Sequence, residues 1–290
     1  MTIGGQRRAS RKARRALDEL DSESRARLQR LISEARFVIV PTSEAISLVE
    51  SRLTPGTVRL GVSGTAELGI DQTVAVAEIL AAKGFDVTPH LPARHISTPA
   101  HLDEILRRLR RRSIDRVLVV EGRRGGPGAF PDAARLLAAM HEHPDVPSDI
   151  GIAGHPNGHP AHDPAELTER LLERSRLASF VSTRGSLDPV RLLGWLTEMR
   201  LRGLELPIEA GVPGAVHPEQ LIAEDPALEG QVRGRETQNG PTRFVIDLAG
   251  HPAVERLGLA SLRVDTLNHL QATADWRQQL YDLSQRARSA

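Results

Sequence analysis

An alternation constrains this chain more than any other feature. From residue 37 onward, short apolar runs take turns with longer stretches whose apolar residues recur at helical spacing. Phe37–Pro41, Thr57–Val62, Asp86–Leu91, Asp115–Val120, the stretch opening at Asp149, Ala178–Thr183, Leu206–Gly211 and Leu259–Val264 read as eight strands. Phe37–Pro41 is a continuous apolar run, typical of a strand covered on both faces. Between them, Thr42 or Ser43 caps a helix to about Glu50, and Asp71 caps another that Gly84 stops. Thr98-Pro99 opens a helix with Leu102, Ile105, Leu106 and Leu109 inward, and another runs from Asp132 to His141. Leu171 and Leu172, then Leu193 and Leu196, mark two more; helices near Phe244–Leu257 and Leu270–Arg286 close the chain. Eight strand–helix pairs without an internal repeat predict a (β/α)8 TIM barrel over residues 37–290, with a doubly wound sheet as the alternative. Pro89 is expected near a strand end, because proline cannot donate to a ladder.

Residues 1–36 differ. Ten Arg/Lys face five Asp/Glu there, about +5 formally (10 − 5), and Leu28, Leu31 and Ile32 predict an amphipathic helix capped by Ser22 or Ser24. No aromatic residues interleave the charges, so a solvated arm closing the barrel floor is favoured over a nucleic-acid surface. The whole chain carries +1, which makes no general case for nucleic acid. It has no cysteine, so disulfides, thiolate metal sites and cysteine nucleophiles are excluded and a cytoplasmic location is expected. No apolar run approaches the roughly 20 residues of a membrane span. Homo-oligomerisation is left open.

Candidate chemistry gathers where strands end, since barrels bind ligands at the C-terminal face. Asp149-Ile-Gly-Ile-Ala-Gly-His-Pro-Asn-Gly-His-Pro160 reads as a buried strand running into a polar loop, where Pro156 and Pro160 oppose helix and His155 and His159 are displayed. His90 ends the third strand, and Glu121-Gly122-Arg123 follows the fourth and opens a glycine-rich loop. That loop lacks the Gly-Lys-Ser/Thr of a P-loop and is expected to act as a lid. Arg170 and Arg174 follow the fifth strand; if both face solvent they are ordinary i,i+4 partners of nearby acids.

Gly151–Pro160 resembles the fifth-strand segment of methylenetetrahydrofolate reductases, and Asp86-Val-Thr-Pro-His-Leu-Pro92 is similar to that family's third strand. Gly64, Asp71-Gln-Thr73, Gly122 and Ser261–Asn268 fit further segments in order across residues 37–286. The resemblance implies a flavin barrel passing hydride from NAD(P)H through FAD to a folate-type small molecule. It also implies cofactor contacts from His90, Gly122, His155, His159, Arg170, Arg174 and Asp265. Glu121 and Arg123 stand, with charges exchanged, where the family has Arg-Gly-Asp, and are the expected catalytic pair. The family's strand-one glutamate is Val38 here, its strand-six glutamine is missing from Ser182–Arg184, and its last-strand tyrosine is Asp265. A catalytically degenerate folate- or nucleotide-binding barrel, or a subunit of a one-carbon complex, is therefore the second expectation. A third takes His90, His155, His159, Glu121 and Asp265 as zinc ligands.

Overall fold

In the computed structural model, the described residues are 13–286 except 66, 123–127, 161, 225 and 234–239. Eight parallel strands close into a barrel in sequential order. They are β1 (Arg36–Ile39), β2 (Arg59–Val62), β3 (Asp86–Pro92), β4 (Arg116–Val120), β5 (Asp149–Gly154), β6 (Phe180–Thr183), β7 (Ile208–Pro213) and β8 (Leu259–Asp265). Helices between them form the outer ring, so the fold is the (β/α)8 barrel that the alternation predicts.

Local chemistry explains most helix ends. Thr42, Thr98 and Asp132 each accept a backbone N–H three residues ahead, and Gly84 stops its helix at φ +87°. Two expected caps are displaced. Asp21, not a serine, caps Ser22–Ser33, because its carboxylate accepts from the Ser24 amide at 2.7 Å. Asp71 lies in the first turn of Gly69–Ala82 and bonds His101 at 3.0 Å instead. Pro89 sits mid-strand rather than at an end. The β2 ladder finishes at Pro89 and the β4 ladder begins at His90, so the ring nitrogen falls between two ladders. The polar connection after β7 contains two short helices, Pro218–Glu224 and Glu229–Arg233, and the next helix is Gly240–Gly250.

Leu28, Leu31 and Ile32 are buried as their spacing predicts. The helix bearing them docks on Gly240–Gly250 and Leu270–Arg286. Its Arg27 is also buried, donating to the Ala249 carbonyl at 2.6 Å and pairing with Glu255 at 3.1 Å. Among the described residues, no helix is long and apolar enough to cross a membrane.

The strands bury two different faces. Phe37, Ile39, Leu60, Val62, Val117, Val119, Ile150, Ile152 and Val181 pack outward against the helices in the main hydrophobic core. The alternate residues face the barrel axis, and many are polar: Arg36, Thr88, His90, Arg116, Ser182, Glu209, Arg263 and Asp265. Barrel interiors are ordinarily filled by Val, Ile and Leu. This one keeps a charged axis.

Candidate functional site

Two groups of polar residues occupy the C-terminal half of the barrel. The first lies inside, on β8, β1, β2 and β3. Register places Asp265 beside Val38, Val38 beside Gly61, and Gly61 beside Thr88. Gly61 leaves room here; a Cβ on it would stand 2.9 Å from Val38 and 3.5 Å from Nε2 of His90. His90 is 5% exposed, and its imidazole is pushed down to about 3 by burial, then by the guanidiniums of Arg263 and Arg36. It is a neutral ring at any physiological pH. Arg263 donates to Asp265 at 2.9 Å, while its Nε and the Thr88 hydroxyl are buried with no hydrogen-bond partner among the described residues.

The second group forms the rim above β4, β5 and β6. His155, just past β5, meets His159 edge to face with ring centroids 5.8 Å apart, and His159 lies 5.0 Å from His162. His155 is also pushed down to about 3, by burial first and then by the charge of Arg184. Arg184 leaves β6 as an exposed residue. Nearby, Glu121 is ion-paired with Arg174 at 2.8 Å and Arg94 at 3.6 Å, and accepts from the Ala133 amide at 3.3 Å. Arg94 also donates to the Gly122 carbonyl at 3.0 Å. Gly122 adopts φ +78°, with Pro92 crowding the space a side chain would take, so only glycine makes this turn without strain.

The rim loops are tied together by amides. Asn157 donates to the Gly185 carbonyl at 2.7 Å, and Gln231 donates to Asn157 Oδ1 at 2.8 Å while accepting from the Leu187 amide at 2.7 Å. The segment after β7 is thereby drawn over the mouth. Leu228, 3% exposed, and Asp265 both stand within 3.8 Å of where a Gly185 Cβ would be.

The structure thus redistributes the expected residues. His155 and His159 come together, and Glu121 meets Arg174. His90 belongs to the interior group with Asp265. Arg170 stays on the helix surface, paired with Glu166 at 2.6 Å, whereas Arg174 is 4% exposed and turned inward. The i,i+4 expectation therefore holds for Arg170 alone. Arg123 and most of the glycine-rich loop lie outside the described residues. The zinc expectation is not supported, since no group of three or more His, Asp or Glu among the described residues could hold a metal ion. Sequence reasoning passed over Arg94, Asn157, His162, Arg263 and Gln231. For Arg263 a signal existed: it shares strand parity with Asp265.

No family model matches the chain. Among solved structures, a 2,3-dimethylmalate lyase of the PEP mutase/isocitrate lyase superfamily aligns at TM-score 0.50 and 12% identity, covering 96% of this chain and 88% of that one. A protein described as a phosphonomutase from Burkholderia cenocepacia aligns at 0.48 and 16%, covering 90% and 98%. Orotidine 5'-monophosphate decarboxylase from Sulfolobus solfataricus aligns at 0.45 and 11%, covering 88% and 99%. At these identities the likeness is one of fold. It corrects the resemblance drawn from short motifs: the structure that aligns at 0.50 is a 2,3-dimethylmalate lyase, not a flavin-dependent folate reductase. The FAD and NAD(P)H expectation falls with it. Arg174 pairs with Glu121, Arg170 with Glu166 and Asp265 with Arg263. The protein shares its barrel fold with a 2,3-dimethylmalate lyase.

Proposed function

We propose that the C-terminal mouth binds a small metabolite bearing an oxyanion and stabilises negative charge developing beside it, as a lyase does. What supports this is that His155 stands just past β5, edge to face with His159, near enough to the exposed Arg184 cation for that charge to add to burial in keeping the imidazole neutral. A neutral imidazole donates a hydrogen bond without giving up its proton, and a nearby cation favours an anionic intermediate. In the interior group on β8 and β3, Arg263 Nε and the Thr88 hydroxyl are donors with no hydrogen-bond partner among the described residues. Charge developing next to a carboxylate is common to elimination and carbon–carbon cleavage. The lyase that shares the fold is named for a malate derivative, which sets the choice of first probe and nothing more.

Calorimetric titration with malate and isocitrate tests the proposal. Saturable binding is expected, and Arg184→Gln should weaken it about tenfold or more, because a charge-assisted hydrogen bond contributes roughly 1.5–3 kcal/mol. If neither acid binds below about 10 mM, a level corresponding to only some 3 kcal/mol, the proposal is lost.

A further inference from the structure

Asn157 and Gly158 follow one another in the loop between β5 and the helix Pro164–Ser175, among the amides that tie the rim together. Asparagine followed by glycine is the pair most prone to lose ammonia. The backbone nitrogen of the second residue attacks the side-chain carbonyl of the first, and glycine lacks the Cβ that would hinder the approach. In this fold both reacting groups are held. The Gly158 N–H donates to the His155 carbonyl at 3.0 Å, closing a turn with Pro156 and Asn157 at its corners. The Asn157 amide is fixed from both sides. Its Nδ2 donates to the Gly185 carbonyl at 2.7 Å, and its Oδ1 accepts from Gln231 at 2.8 Å and from the Ser186 hydroxyl at 3.4 Å. Attack therefore requires a local opening in which the turn parts and the amide swings free.

We infer that Asn157–Gly158 is a deamidation site whose rate the clasp sets, and that its conversion unties the rim. When the turn opens, the Gly158 nitrogen forms a bond to Asn157 Cγ, the Cγ–Nδ2 bond breaks, and ammonia leaves carrying the backbone amide proton. Water then opens the resulting succinimide ring, at one carbonyl to give aspartate and at the other to give isoaspartate. Either product replaces the Nδ2 donor with a carboxylate oxygen. That oxygen has no proton to offer the Gly185 carbonyl, and two acceptors held at 2.7 Å repel. The tie between the loops after β5 and β6 is lost, while the bond from the Leu187 amide to Gln231 remains. The change runs one way, because the ammonia escapes to solvent. Nothing in this chemistry depends on what the mouth binds.

The test incubates the full-length parent and Gln231→Ala in mildly alkaline buffer, beside the parent held unfolded in urea. Peptide mapping by mass spectrometry follows the conversion of amide to acid and separates Asn157–Gly158 from the other Asn-Gly pair of the chain, Asn239–Gly240. Conversion at Asn157 should be about tenfold or more slower in the folded parent than in urea, since several hydrogen bonds must break first. In Gln231→Ala it should be about threefold or more faster than in the folded parent, the effect of one hydrogen bond lost. Conversion of the folded parent at the unfolded rate, or no gain in Gln231→Ala, overturns the gating. Should Gln231→Ala melt during the incubation, Gln231→Glu, which keeps an acceptor for Leu187 but removes the donor to Asn157, takes its place in the comparison. Asn157→Asp carries the acid from the start and should show faster hydrogen exchange than the parent across residues 184–188. Equal exchange there would mean that the tie survives conversion, which overturns the second half.

Discussion

His90 shows what a charged barrel axis costs. An imidazole titrates near 6.5 in an unfolded chain and at about 3 in this fold. Above pH 6.5 both states are neutral and the residue is indifferent. Between 6.5 and 3 only the unfolded chain takes up the proton, so stability falls as pH drops, by about 1.4 kcal/mol per pH unit. His155 acts in the same direction. Urea unfolding at pH 6.5 and pH 5 should therefore show His90→Leu losing about 2 kcal/mol less than the parent over that interval. Equal losses would mean that His90 is not held neutral. The Glu121–Arg174 pair shows the opposite bargain. Arg174 is buried with its charge, and burial alone works against that charge. Glu121 and the Arg170 carbonyl, each 2.8 Å away, offset the penalty. Glu121 is thus occupied in positioning a loop and a helix, which weakens its case as the catalytic acid.

At the scale of the element, the β5–β6 pair decides how the axis is filled. Gly151 pairs with Leu118 on one side and with Phe180 on the other. A Cβ on Gly151 would run into the Phe180 ring, so the glycine exists to let that ring lie across its strand. The ring in turn carries the Arg116 guanidinium. Gly151→Ala should cost about 1–3 kcal/mol, the range for overpacking a filled interior. Combined with Phe180→Leu it should cost less than the sum of the two single changes, because the obstructing ring is gone. Additive melting data would show that the clash is relieved elsewhere.

For the molecule as a whole, the mouth is shaped by a clasp between distant segments. Gln231, 74 residues beyond Asn157, joins the segment after β7 to the loops after β5 and β6. Cutting that clasp should release the cover without unfolding the barrel, whose core lies between strands and helices. For Gln231→Ala, hydrogen exchange and limited proteolysis should speed up across residues 218–233, with the melting temperature changed by only a few degrees, the response to about 1 kcal/mol. A cover that stays protected would place its anchorage in Leu228 instead.

The sequence by itself determined the barrel, because hydrophobic alternation is a local property. Each strand's outward face had to be apolar to meet a helix, and Phe37, Leu60, Val117 and Val181 declare that one residue at a time. It also placed His155 and His159 together, since they stand four positions apart within one loop, each followed by a proline. It did not reveal what the inward residues do. Arg36 falls at the end of the basic arm and Glu209 within the seventh apolar run, far apart in sequence, yet closure of the ring brings their side chains to 3.5 Å. Arg174 looked like a surface partner until the tertiary fold turned it toward Glu121. Short motifs misled about function for the same reason: Asp265 and Arg170 take their roles from the groups across from them, and those partners are chosen only when the barrel closes.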